Sequence, residues 1–196
     1  MRGGRTLFEE LNLEIKPGSI LRISGDNGSG KSSLLRILCG LLTPHAGKVF
    51  WGSDPIAEDR DQFHGELIYL GHIPALKADF SAIENLMSLA LLGGQSISNE
   101  EAMNALREAG LDRQAHRFIR TLSQGQKQRI ALSRLLLPQP KSIWILDEPF
   151  NALDRDANRA LQNLLINHVN RRGIVVLSSH QDLQIDDNAR VIRLEL

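Results

Sequence analysis

The run Gly25-Asp26-Asn27-Gly28-Ser29-Gly30-Lys31-Ser32-Ser33 constrains this chain more than any other stretch. It fits G-x-x-x-x-G-K-[ST], a loop that wraps phosphate groups. Upstream, Ser19–Ile23 reads as a short β-strand, and downstream Ser32–Leu38 reads as the start of a helix. That strand–loop–helix context is what gives the motif its meaning. Glycines let the backbone curl so that several N–H groups converge on phosphate oxygens at the positive end of the helix. In such a loop Lys31 reaches the β- and γ-phosphates of a nucleotide, and the Ser32 hydroxyl ligates Mg²⁺. A chain built on this element is an α/β protein with a P-loop nucleotide-binding core.

Bulk properties narrow the setting. The 196 residues suit a single domain, and a formal net charge of zero supplies no global field toward nucleic acid or an anionic surface. No apolar run approaches the roughly 20 residues that cross a bilayer. Met1-Arg2-Gly3-Gly4-Arg5 has no apolar segment behind it, so no signal peptide is expected. The single cysteine, Cys39, falls in the apolar helix after the loop and is expected to be a buried, inert thiol. These features point to the cytoplasm, with another chain supplying any membrane part.

Along the chain, Leu11–Ile15 alternates apolar and polar residues, which suits a half-buried strand. The helix after the phosphate loop is expected to run to about Leu42, stopped by Thr43-Pro44. Lys48–Trp51 reads as a strand, Ser53–Gly65 as a polar loop and Leu67–Leu70 as a buried strand. From Ser81 to Leu137 the pattern turns helical, with a capping box at Ser98-Asn99-Glu100-Glu101 and a further helix starting beside Ser123. The α/β pattern then resumes: Ser142–Leu146 as strand, Arg155 to about Asn170 as helix with Gly173 ending it, Ile174–Ser178 as buried strand, and Arg190–Leu194 alternating. The expected architecture is one domain over residues 1–196. It has a mostly parallel sheet with helices on both faces, a small antiparallel part, and a helical subdomain at about 81–137 inserted into the core.

A P-loop site also needs a carboxylate at the end of a neighbouring strand to complete the Mg²⁺ shell. Asp147 is so placed, after an apolar strand, and Glu148 follows it where a carboxylate can accept a proton from water. Asp147-Glu148-Pro149 could instead be a plain strand-ending turn, since Pro149 cannot continue the pairing. The phosphate loop upstream favours the metal-and-base reading. In Leu122-Ser123-Gln124-Gly125-Gln126, Ser123 caps a helix whose N-terminus, loosened by Gly125, can accept an anion.

Taken in order, Gly25–Ser32, Leu122–Gln126, Ile143–Glu148, Asn151–Asp154 and His180 resemble the motif series of ABC-type ATPases, with Gln124 in place of one glycine of the LSGGQ signature. The resemblance covers nearly the whole chain. It implies a head-to-tail homodimer with two ATPs sandwiched between the phosphate loop of one subunit and the signature segment of the other. On that resemblance the loop residues Gly25 to Ser33 bind ATP, Ser32 and Asp147 hold Mg²⁺, Glu148 is the catalytic base, and His180 contacts the γ-phosphate. Ser123, Gly125 and Gln126 would reach the partner's ATP, and Asp154 would join the two sites across the interface. The family pattern also implies integral membrane transporter subunits as partners, and a peripheral position on the cytoplasmic face of the inner (plasma) membrane.

The chain departs from the family pattern twice. His72 stands where a glutamine usually contacts the metal shell or water. The strand that normally precedes Arg5, with an aromatic residue stacking on adenine, has no counterpart, so weaker stacking or a true start further upstream is expected. A narrower resemblance rests on Leu70-Gly71-His72-Ile73-Pro74, Ser81–Leu86, Trp144–Phe150 and Ser179-His180-Gln181. These look like the ATP-binding subunits of cytochrome c biogenesis, or haem-export, systems. There ATP hydrolysis drives release of a haem-loaded chaperone, which this subunit would meet only indirectly. No Cys-x-x-Cys-His attachment site is present. The other readings are the ATPase of another exporter or importer, and a soluble ABC regulator of ribosomes or DNA, which the absence of a basic arm disfavours.

Overall fold

The computed structural model describes residues 6–138, 141–180 and 190–196. Its centre is a five-stranded sheet: β1 (Ser19–Ser24), β4 (Leu67–Leu70), β5 (Ile143–Asp147), β6 (Ile174–Ser178) and β7 (Arg190–Glu195). The spatial order is β4-β5-β6-β1-β7, and every neighbouring pair is parallel. The central strands β5 and β6 are buried along their whole length, which is why they read as unbroken apolar runs. The outer strands β4 and β7 are only partly covered, and β7 has its apolar residues half-buried and its charged residues exposed. A separate two-stranded antiparallel sheet, β2 (Phe50–Trp51) with β3 (Asp54–Pro55), lies outside it.

Strand periodicity divides the sheet's side chains between two cores. On one face Leu21, Ile23, Ile145 and Val176 pack with Leu34 and Leu35 of α1 (Lys31–Leu38). On the other, Ile20, Trp144, Leu146 and Leu177 pack with Leu161 and Leu165 of α6 (Arg155–Asn170). Each such fully buried Leu or Ile contributes about 1.5–3 kcal/mol. A third cluster joins α3 (Ala82–Leu92), α4 (Asn99–Glu108) and α5 (Gln124–Leu132) around Leu86, Leu106, Leu111 and Ile130. All three helices open on a reciprocal capping box, Ser81 with Glu84, Ser98 with Glu101 and Ser123 with Gln126. Each box satisfies two backbone donors that a helix start otherwise leaves unpaired.

Four local expectations are corrected. Residues 6–16 form no strand: Phe8, Leu11 and Ile15 lie half-buried against the α1-side core, yet among the described residues no strand pairs with them. Alternation there marks a packed segment without ladder partners. The helix after the phosphate loop ends at Leu38, not Leu42. Gly40 takes φ +70°, the Gly40 N–H donates to the Ile37 carbonyl, and the Leu41 N–H donates to the Arg36 carbonyl. That is a Schellman stop, and it acts before Thr43-Pro44 is reached.

Within 53–65, α2 (Arg60–Gly65) stands where a loop was expected, its first turn capped by Asp59 accepting from the Gln62 N–H at 3.0 Å. The left-handed residue ending α6 is Arg172, φ +66°, with the Gly173 N–H donating to the His168 carbonyl. Gly173 is glycine for another reason: a Cβ there would lie 2.2 Å from Nε2 of His168.

Candidate active site

A parallel sheet sends the loops that follow all its strands to one edge, where open α/β folds bind their ligands. Here the loop after β1 is Gly25–Gly30, the turn after β5 is Glu148-Pro149, His180 follows β6 closely, and His72 follows β4. Leu70 pairs with Leu146, Asp147 with Ser178, and Ser178 with Ile23. The register therefore gathers Lys31, Asp147, Glu148, His180 and His72 at that edge. His72 is solvent-exposed two residues past the end of β4.

The phosphate loop is already formed. Gly30 is the N-cap of α1 at φ +115°, a backbone angle that L side chains resist, and its open side faces Leu7 and Phe8. Lys31 is buried, and its ammonium donates to the Gly25 carbonyl at 2.7 Å and the Asp26 carbonyl at 3.0 Å. The cation is thus fixed at the mouth of the loop. Ser29 Oγ is buried without a hydrogen-bond partner, a polar atom a phosphate oxygen can satisfy. Cys39, further along this element, is fully buried, and burial, with some help from Asp147, pushes its thiol up to about 12. It is inert at neutral pH.

The acidic pair is held from β6. Ser178 Oγ donates to Asp147 Oδ1 at 2.7 Å and accepts the Glu148 N–H at 2.8 Å. Glu148 sits at φ +51°, a left-handed conformation costly for a side chain of its kind. Its Oε1 is buried with no hydrogen bond and faces His180 Nε2 at 3.4 Å. Glu148 is mostly covered while His180 is half exposed, so the pair points from the sheet edge toward solvent. A buried carboxylate oxygen lacking a donor suits an incoming water or a protonated group.

Ser123, Gly125 and Gln126 open α5 and lie in a second group, against the loop that follows Glu148. A Cβ on Gly125 would meet the Ala152 carbonyl at 2.7 Å, and the Gln128 side-chain amide donates to the Pro149 carbonyl at 3.1 Å. Ala152 is itself left-handed, φ +62°. Asp154 caps α6, accepting from the Ala157 N–H at 2.8 Å. The signature segment thus packs on the loop that follows the acidic pair. Gln181 and the residues to 189 lie outside the described residues. Sequence reasoning missed Ser178, whose role follows only from strand register. It also missed Gln128, which looks like an ordinary polar residue of α5. The capping signal at Ser123 did carry through.

Comparison with known proteins places this geometry. The family model described as "ABC transporter" matches residues 8–151. The chain belongs to that family and is an ABC-type ATPase domain. The cytochrome c biogenesis ATP-binding export protein CcmA of Aromatoleum aromaticum is 46% identical over 182 residues, covering 93% of this chain and 85% of that one. The protein of the same name from Pseudomonas aeruginosa is 44% identical over 191 residues, covering 97% and 94%. Among solved structures, the ATP-binding cassette MJ0796, a dimer in a post-hydrolysis state bound to ADP and Pi, superposes with a TM-score of 0.82. It is 27% identical and covers 97% of this chain and 88% of that one. Among the described residues no helix is long and apolar enough to cross a membrane.

Proposed function

We propose that this chain is the ATP-hydrolysing subunit of a membrane export complex serving cytochrome c maturation, in which ATP turnover drives release of a haem-loaded chaperone. The observation that carries the reading is the gathering of Lys31, Asp147, Glu148 and His180 at one sheet edge, in a chain more than 40% identical to proteins named for cytochrome c biogenesis. Residues 81–137 are read as the family's helical subdomain within a single ABC domain.

In this reading Gly25–Ser33 wrap the phosphates, with Lys31 neutralising the β- and γ-groups. Ser32 and Asp147 hold Mg²⁺, which when bound balances the charge of the phosphate oxygens. The orphaned Ser29 Oγ and the Ser178-oriented Asp147 carboxylate fit that assignment. Glu148 accepts the proton of the water that attacks the γ-phosphorus as the bond to the β-phosphate oxygen breaks. His180, 3.4 Å from that carboxylate, donates to a γ-phosphate oxygen. His72 hydrogen-bonds at the rim in place of the usual glutamine.

The signature residues Ser123, Gly125 and Gln126 act on the nucleotide of a second, head-to-tail copy, and Asp154 lies at that interface. Two half-sites on one chain give a head-to-tail dimer its logic. Membrane subunits complete the complex at the cytoplasmic face of the inner membrane, and no nucleic acid takes part. The test is a haem-stained gel of membrane c-type cytochromes from a deletion strain carrying either wild type or Glu148→Gln. Bands restored by wild type alone are expected. Bands that persist in the uncomplemented deletion strain, with no second copy present, would refute the cytochrome assignment.

A further inference from the structure

The acid pair of this site hangs on one hydroxyl from a neighbouring strand. Ser178 is the last residue of β6, fully buried, and its register partners are Asp147 on one side and Ile23 on the other. Its single Oγ makes two directed bonds: it donates to Asp147 Oδ1 at 2.7 Å and accepts from the Glu148 N–H at 2.8 Å.

The directions matter. A hydroxyl has one proton, so giving it to Asp147 leaves only lone pairs facing Glu148, and the N–H of Glu148 is the group that can use one. The two bonds are mutually consistent and polarise each other in the same sense. They also fix two different quantities. The bond to Asp147 sets the orientation of a carboxylate, while the bond to the Glu148 N–H holds a backbone at φ +51° that the residue would otherwise leave.

We infer that Ser178 is a positioning residue for metal binding and for proton abstraction at once, its hydroxyl aiming the Asp147 carboxylate and clamping Glu148 in its left-handed turn. The inference rests on the proposed assignment of Asp147 to the metal and Glu148 to water. Groups that orient a ligand carboxylate typically change metal affinity or activity about 10–100-fold when removed. Alanine here keeps the strand position without adding volume, so a purely structural role would leave both quantities in place.

The experiment compares full-length wild type, Ser178→Ala and Ser178→Thr. Three readouts are taken: fluorescent ADP binding in EDTA, Mn²⁺ affinity of the ADP complex by EPR of free Mn²⁺, and kcat with KM for ATP. For Ser178→Ala the expected result is ADP affinity in EDTA within twofold of wild type. Mn²⁺ affinity falls roughly tenfold and kcat falls about 10–100-fold at unchanged KM. Ser178→Thr, which keeps the hydroxyl on a β-branched residue suited to a strand, restores both. If Ser178→Ala does not fold, Ser178→Cys supplies the same comparison with a weak donor in nearly the same volume. Mn²⁺ affinity and kcat within twofold of wild type in the hydroxyl-free variant would overturn the Ser178 role alone. A wild-type ADP complex that holds Mn²⁺ no more tightly than free ADP does would instead overturn the metal assignment beneath it.

Discussion

Gly125→Ala separates two explanations for a glycine in the signature segment. If Gly125 serves only a partner's nucleotide, adding a methyl group leaves the isolated chain unaffected. The structure says otherwise, because that methyl carbon would lie 2.7 Å from the Ala152 carbonyl oxygen. Reaching ordinary contact requires a shift of about 0.7 Å, and backbone on both sides must supply it. The Ala152 side is stiff: Ala152 is already at φ +62°, Leu153 N–H bonds to the Phe150 carbonyl, and Asn151 N–H bonds to the Glu148 carbonyl at 3.2 Å. The other side is the first turn of α5, held by the Ser123–Gln126 capping box.

Overpacking of this kind costs about 1–3 kcal/mol. For a chain of this size that lowers Tm by roughly 2–12 °C. The displaced loop is tied to Glu148, and a misplacement near 1 Å at a reacting group costs up to about 10²-fold. The expected result is a Tm several degrees lower without nucleotide, at protein concentrations where the chain is monomeric, and kcat for ATP reduced about 10–100-fold with KM unchanged. Scanning calorimetry and a phosphate-release assay measure both. A variant with wild-type Tm and a loss of activity only would refute the collision. Wild-type values in both would refute any close approach of Gly125 to Ala152.

Glu148→Gln keeps the side-chain shape and the Glu148 N–H bond to Ser178 but removes the proton acceptor. Its turnover is expected to fall by about 10²–10⁴, and ATP is expected to hold it as a dimer by light scattering; a variant that stays monomeric with ATP counts against the sandwich. His168 stacks on Trp144 at 3.6 Å, and burial holds its pKa below the ordinary 6.5, outweighing the opposing hydrogen bond to the Ser142 carbonyl. The unfolded chain therefore takes up a proton first, so stability is full above pH 6.5 and declines as pH falls below it. Urea midpoints at pH 8 and pH 5 check this, with His168→Gln expected to flatten the difference; equal slopes would refute it.

What the sequence made legible was whatever a few neighbouring residues decide among themselves. The turn Gly25–Gly30 and the caps at Ser98 and Ser123 close their hydrogen bonds within a handful of positions, and all stand in the structure as read. The unbroken apolar runs of β5 and β6 announced buried parallel strands because burial on both faces is itself a local demand for apolar residues. Where two local signals competed, the nearer one won. Gly40 ended α1 before Pro44 was reached, and the Asp59 cap turned a polar stretch into α2. The pattern of Leu11–Ile15 misled because alternation reports which side chains are buried, and a strand needs a partner that no alternation can promise.

The site divides along the same line. Motif order named Lys31, Asp147, Glu148 and His180, since each belongs to a short segment with its own chemistry. It could not reveal that Ser178 bonds to both acids, because Ser178 and Asp147 are 31 residues apart and meet only through the pairing of β5 with β6. Nor could it reveal that Gly125 is small on account of Ala152, a contact between two loops brought together by the helical cluster and the sheet. In both cases the residue type alone suits several roles: a serine ending a strand, a glycine near a helix start. Register and packing select one. Candidate ligand-binding groups are therefore readable from short motifs in a chain like this, while the groups proposed to aim them are distributed over the fold. A variant at Ser178 or Gly125 tests the fold's contribution to catalysis, and a variant at Lys31 or Glu148 tests the motif's.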